Sequence, residues 1–291
     1  MARYHKRVVN RISRRNVVGT IGMALGASLL SGTGTTREKQ NVTQSARDKF
    51  HITAHRGFRD VFPQNTIAAV EGASRLGTDR IEIDVEATSD GEIIVFHDAA
   101  LDNLTNKEGL VGETPSEIVL QAEVLESGET IPTLAETLDA TRPSVMMNIE
   151  FKDPGPLSWE EFAERTLPIA SRYPGEYYVS SFDPDALRAV QDVDPNVDVA
   201  PIFGSNKDEN LEIARELDAK AVNPSTGVLD RDLVKTAHEE GREVNVWTVD
   251  SWREAQEPLE LHVDGLIADY PHMATFATKT THPKSLSQKN K

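Results

Sequence analysis

Eight short runs of β-branched and apolar residues, spaced along the chain with helical patterns between them, constrain this sequence more than any other feature. The runs are Ile52–Ala54, Arg80–Val85, Met146–Phe151, Tyr177–Ser181, Val197–Ile202, Ala219–Val222, Val244–Thr248 and Gly265–Ala268. Helical patterns follow at Thr66–Leu76, Leu134–Ala140, Trp159–Ser171, Pro184–Asp192, Asn206–Leu217, Arg231–Glu240 and Trp252–Pro258, with a last short one from Pro271. Strands joined by helical crossovers run parallel. Eight strand–helix units in one chain predict a (β/α)8 TIM barrel over residues 51–278, within the roughly 250 residues usual for that fold.

One strand-like run is left over, Glu92–Phe96 in "TSDGEIIVFHD". The Asp90-Gly91 pair ahead of it is a hairpin signal, so this run is expected to fold back antiparallel on the second strand. A two-residue turn there sets Ser89 opposite Glu92 and, counting back, His97 opposite Asp84. The following stretch, about 99–131, has weak periodicity and reads as a small insertion above the barrel rim.

The two ends read differently from the barrel. Residues 1–34 begin with bases, including Arg14 and Arg15 after Ser13, pass through an apolar run from Val17 to Leu30 and end in small residues. That order is a secretory signal, and its twin arginines are of the kind read by the route that exports folded proteins, so the mature protein is expected to be secreted or at the cell surface. The apolar run, broken by Gly19, Gly22 and Gly26, is short of the roughly 20 residues a membrane span needs. Residues 35–50 read as a linker and 279–291 as a frayed tail.

Charge narrows the partners. The formal net charge is -16, yet residues 1–40 hold 8 bases and 1 acid, leaving 23 bases against 46 acids in the rest. So acidic a body repels nucleic acid and anionic membranes, and a small molecule is the expected partner, with no stable membrane insertion once the signal is removed. The dense carboxylates also suit a protein kept hydrated in high salt. With no cysteine, disulfides, thiolate nucleophiles and Cys-ligated metals are excluded.

Functional side chains of a (β/α)8 barrel gather where strands end. The first strand ends at His55-Arg56-Gly57. The second, "RIEIDVEA", alternates Glu82, Asp84 and Glu86 with apolar residues, which sends the acids to one face. Burying such a row is costly unless something neutralises it. The third, "MMNIEFKD", brings Glu150 and Lys152 to the same inner face. A lone "EID" is more often a solvated edge strand, and a lone histidine beside an arginine more often a surface residue. Their convergence changes that weighing. Glu82, Asp84 and Glu150 offer oxygen-only ligation, which suits a hard divalent cation, Mg²⁺ or Ca²⁺. His55 and His97 flank them as an acid and base pair, the arrangement that phosphodiester hydrolysis calls for.

Seven motifs, "HRG" with "PQNT" downstream, "DRIEIDVEATSDGEIIVFHD", "IPTLAETLD", "NIEFK", "SSF", "VNVWTVD" and "VDGLIADYP", stand in that order from about Ile52 to Pro271. Together they closely resemble the glycerophosphodiester phosphodiesterases. The resemblance implies one divalent cation on Glu82, Asp84 and Glu150, catalysis by His55 and His97, and substrate contacts from Arg56, Lys152, Phe182 and Trp247. The last two resemble the family's apolar wall for the glycerol or the alcohol substituent. It further implies hydrolysis of a glycerophosphodiester to sn-glycerol 3-phosphate and an alcohol. Two positions depart from the family pattern: Gln64 stands where a glutamate is common, which puts a carboxylate's support of Arg56 in doubt, and Asn103 stands where an arginine is common. Two other readings share the barrel: an enzyme acting on lysophospholipids or other phosphodiesters, and a binding protein that has lost turnover.

Overall fold

The computed structural model describes residues 50–273. The signal reading of 1–34, almost all of the linker, the tail and the part of the expected last helix beyond Met273 lie outside the described residues; His272 and Met273 are helical.

The described strands are β1 (His51–Ala54), β2 (Arg80–Ala87), β3 (Ile93–Val95), β4 (Met146–Asp153), β5 (Tyr177–Ser181), β6 (Val199–Phe203), β7 (Ala221–Pro224), β8 (Glu243–Val246) and β9 (Gly265–Ala268). All but β3 pair in parallel, and β1 bonds both β2 and β9, closing an eight-stranded barrel. Between them lie α1 (Ile67–Leu76), α2 (Ser116–Val119), α3 (Leu134–Ala140), α4 (Trp159–Ala170), α5 (Pro184–Val193), α6 (Lys207–Glu216), α7 (Arg231–Glu239) and α8 (Gln256–Glu260). The expected (β/α)8 architecture is therefore present, with strand ends displaced by a residue or two. Among the described residues no helix is long and apolar enough to cross a membrane.

Local chemistry explains where the helices begin. Thr133 and Ser158 each accept a hydrogen bond from the amide three residues on, while Glu136 and Glu161 reach back to the cap amides, two complete capping boxes. Asp183 caps α5, with Pro184 in the first turn, where a missing N–H costs nothing.

Alternation along the strands sorts residues between two interiors. Ile81, Ile83 and Val85 of β2 join the large apolar cluster with helix residues such as Val70, Phe162 and Leu187. The lumen instead holds Glu82, Asn148, Ser180, Asn223 and Asn245, all buried. The larger hydrophobic cluster therefore lies between barrel and helices, and the lumen carries polar groups beside a small apolar cluster of Tyr178, Ala200 and Ala221.

The hairpin forms, in a different register from the expected one. Val85 faces Val95 and Glu86 faces Ile94, and the Phe96 amide donates to the Asp84 carbonyl, so Phe96 stands opposite Asp84. The loop has three residues, Ser89 to Gly91, closed by the Thr88 amide on the Glu92 carbonyl, with Gly91 at φ 79°. A left-handed residue at the third loop position is what such a loop requires, and glycine supplies it without strain. The extra loop residue moves every pair by one.

The insertion carries its own core, Ile94, Phe96, Leu101, Val111, Val119, Ala122, Val124 and Ile131. It is tied to the barrel by the Ser89 amide on the Thr114 carbonyl and by the Ala68 amide on Glu129.

Candidate active site

His55, Arg56, Glu82, His97, Glu150, Lys152, Phe182 and Trp247 line one cavity of about 270 Å³, together with Arg59, Asn148, Ile202, Thr248 and Ile267. Eight of the nine residues singled out from the sequence thus meet in one place. The ninth, Asp84, lies beneath it, 3.2 Å from Arg56 Nε and 3.8 Å from Lys152 Nζ.

The three acids form the base of the site. One oxygen from each of Glu82, Asp84 and Glu150 lies within 4.8 Å of the others, and all three residues are buried. Their environments differ. Burial pushes Glu82 well up, and the neighbouring Asp84 and Glu150 add to it. Glu150 is pushed up to about 7 by burial and by Asp84, despite an ion pair of 3.0 Å with Lys152. Burial would raise Asp84 as well, but Arg56, His97 and Lys152 outweigh it and hold its carboxyl below the usual range. Glu82 Oε2 accepts the Arg56 amide at 2.8 Å, whereas Oε1 is buried with no hydrogen-bond partner. Mutually repelling carboxylates with an unmatched oxygen fit a hard divalent cation, which these residues could hold.

Each histidine has its own aspartate. His55 Nδ1 is 2.5 Å from Asp269 Oδ1, and the other oxygen of Asp269 accepts from Arg59 Nε at 2.6 Å. His97 Nδ1 is 2.6 Å from Asp98 Oδ1. Both aspartates engage Nδ1, which leaves Nε2 as the free ring nitrogen of each. The Nε2 of His55 is 4.0 Å from Glu82. Burial depresses both imidazoles below the ordinary histidine range, more than their acidic neighbours restore. His97 reaches the site although the strand ends two residues before it, because the chain turns there and Asp98 holds the ring.

Support comes from residues the sequence reading did not single out. Asn65, held at φ 57°, donates through Nδ2 to Asp84 Oδ2 at 2.8 Å and accepts the Asp84 amide at 3.3 Å. Asp269 follows β9 directly, so the rule that functional groups stand at strand ends would have found it. The doubt attached to Gln64 is answered by geometry: Arg56 donates to Gln64 Oε1 at 2.7 Å, so a neutral amide orients the guanidinium where a carboxylate is common. Asn103 is exposed.

Gly57, next to His55 and Arg56, is required by packing: at φ 75° it sits against α1, where an added Cβ would lie 2.6 Å from the Ala69 Cβ. Gly57→Ala is accordingly expected to destabilise the fold by about 1–3 kcal/mol through overpacking and backbone strain, measurable by urea denaturation.

At the mouth, Phe182 and Trp247 pack edge to face with ring centroids 5.4 Å apart, and Lys152 Nζ lies 5.6 Å from the Phe182 centroid. Phe182 is 48 % exposed. An apolar side wall thus stands beside a charged floor.

Comparisons with known proteins agree with this architecture. Residues 55–273 match the model of the glycerophosphoryl diester phosphodiesterase family. A glycerophosphodiester phosphodiesterase of Caldanaerobacter subterraneus subsp. tengcongensis is 31% identical over 229 residues, covering 76% of this chain and 94% of the relative. One from Bacillus altitudinis is 30% identical over 236 residues, covering 77% and 96%. Among solved structures, a phosphodiesterase of Oleispira antarctica in complex with the product sn-glycerol-3-phosphate superposes with a TM-score of 0.74 at 24% identity, covering 81% of this chain and 98% of that one. With a family model spanning most of its length and curated relatives matched nearly end to end, this chain belongs to the glycerophosphoryl diester phosphodiesterase family.

Proposed function

We propose that this protein hydrolyses glycerophosphodiesters to sn-glycerol 3-phosphate and an alcohol, with a divalent cation on Glu82, Asp84 and Glu150 and proton transfer by His55 and His97. The observation that carries the reading is one cavity whose base is three buried carboxylates and whose walls hold two imidazoles, each with an aspartate on Nδ1. Family membership supports the same reaction, and the product bound to the Oleispira relative is its phosphate half.

Each residue has a task on this reading. Arg56 and Lys152 supply positive charge for the phosphate. Asp269 and Asp98 hold the Nδ1 protons, so that the free Nε2 of one imidazole removes a proton from the nucleophile, water or a glycerol hydroxyl, while the other ring, as the imidazolium, gives its Nε2 proton to the departing alcohol oxygen; where the glycerol hydroxyl attacks, water then opens the cyclic phosphate by the reverse transfers. A bound cation would polarise the phosphoryl group and lower the pKa of a hydroxyl beside it. Phe182 and Trp247 flank the glycerol or the departing alcohol.

The test is to incubate the full chain with glycerophosphocholine, with Mg²⁺, with Ca²⁺ and with excess EDTA, and to assay glycerol 3-phosphate and choline. Release of both in equal amounts only with cation supports the reading. Choline phosphate as product would place the cut on the other side of phosphorus, and full activity in EDTA would remove the cation. Running a lysophospholipid and a long-chain phosphodiester in parallel separates the alternative substrates, and tight binding of glycerophosphocholine without turnover would indicate a binding protein.

A smaller change probes the histidine dyad. Asp269→Asn keeps the shape but offers the ring no anionic partner, and is expected to lower kcat by at least about tenfold with little effect on KM. An unchanged kcat would remove the orienting role. We further propose that residues 1–34 direct export; replacing Arg14 and Arg15 by lysine should retain the protein inside the cell, as read by fractionation.

A further inference from the structure

Asn148 is not among the residues given a role above, yet it lies in the lumen on β4, fully buried and lining the cavity. Its amide is held by one end. Ser180 of β5 donates its hydroxyl to Asn148 Oδ1 at 2.7 Å. The other end, Nδ2, is a buried donor with no partner. Leaving such a group unmatched costs about 1–3 kcal/mol, so an amide kept this way calls for an acceptor.

The strand register says where that acceptor is. Asn148 is the Cα partner of Glu82 on β2 and of Tyr178 on β5. With Oδ1 turned towards the Ser180 hydroxyl on β5, the diverging Nδ2 faces β2 and the lumen. Glu82 stands there, on the adjacent strand about 4.8 Å away and on the same face of the sheet. Its Oε1 is likewise buried and unmatched. Turning the amide over would leave Oδ1 aimed at Glu82 and Glu150, acceptor against acceptor, so the Ser180 bond and the carboxylates select the same orientation.

We propose that Asn148 is a positioning residue for the cation site: its Nδ2–H is linked to the Glu82 carboxylate through one water, and Ser180 keeps the amide turned that way. With Arg56 N–H on Oε2, this second donor restrains the carboxylate from both sides. Glu82 then presents its remaining lone pairs to the cation at no further ordering cost. The inference rests on the assignment of Glu82, Asp84 and Glu150 as cation ligands.

Calorimetric titration of the chelator-treated full chain with Ca²⁺ and with Mg²⁺ tests it. Asn148→Ala is expected to weaken cation binding about 10- to 100-fold, as loss of an orienting partner does elsewhere. Ser180→Ala, which frees the amide to turn, should weaken it about fivefold. The double variant should bind no more weakly than Asn148→Ala alone, since Ser180 acts through Asn148. A purely structural Asn148 would lower the melting temperature of the cation-free protein and leave the cation Kd unchanged, and that result would overturn the inference. Should Asn148→Ala fail to fold, Ser180→Ala decides: wild-type affinity there also overturns it. A wild-type chain that binds neither cation would defeat the reading of the acidic triad itself, whereas binding by wild type with unaltered affinity in folded variants defeats only the role of Asn148.

Discussion

His55→Ala is expected to lower kcat for glycerophosphocholine hydrolysis by roughly 10²- to 10⁴-fold, the usual contribution of a general acid or base. The imidazole stands directly after β1, against an aspartate that is fully buried, and its Nε2 is turned towards the carboxylate base of the cavity. Alanine removes the proton carrier and leaves the Asp269 carboxylate bonded to Arg59 at 2.6 Å, so the fold should survive. His97→Ala is expected to fall in the same range. The double variant should lose little more than the worse single one if the two rings act in one proton relay. Steady-state kinetics at saturating cation measures this, with calorimetry to show that cation affinity is retained. Wild-type turnover in either single variant would strike that ring from the mechanism.

Glu82→Gln should separate activity from stability. Gln can still accept the Arg56 amide, but it gives a cation a weaker ligand, and loss of several kcal/mol of transition-state stabilisation amounts to on the order of 10³-fold in rate. The cation-free variant should nevertheless melt higher than cation-free wild type, because one of three buried, mutually repelling carboxylates is gone. The same physics predicts a pH dependence. Glu150 is raised to about 7 and Glu86, buried near Asp153 and Asp84, to about 8, from ordinary values of 4.5. Between pH 6.5 and 8 the native state therefore holds protons that the unfolded chain has already released, and stability falls as pH rises. His55 and His97, lowered from the ordinary histidine value by burial, oppose this at the lower end of the window, where the unfolded chain still holds part of its histidine protons, and the opposition fades towards pH 8. Thermal melts in EDTA across that window should decline, and saturating Ca²⁺ or Mg²⁺ should flatten the decline. A flat profile in EDTA would mean that the triad is not strained when empty of cation.

Much of this site is legible in the sequence. The alternation in "RIEIDVEA" and "MMNIEFKD" assigned the acids and Lys152 to one face, because successive side chains of a strand must point opposite ways, and the closed barrel makes that face the lumen. The hairpin was legible, its register was not: a two-residue and a three-residue loop both use Asp-Gly, and which one forms is decided by the pairing partners, Val85 with Val95, rather than by the loop. His97 was placed in the cavity for a reason that does not hold, since Phe96 takes the position opposite Asp84 and packs into the insertion's core.

What the chain's own pattern determined is the set of strands and helices, the barrel they close, and which residues face its axis. These follow from periodicities of two and 3.6 that act over a few neighbours. Only the tertiary structure decided who supports whom. Asp269 meets His55 across 214 positions, and Ser180 meets Asn148 across 32. Such pairs obey no local period. They come from closure, which brings the last strand against the first and stacks inward side chains from separate strands in the same layer.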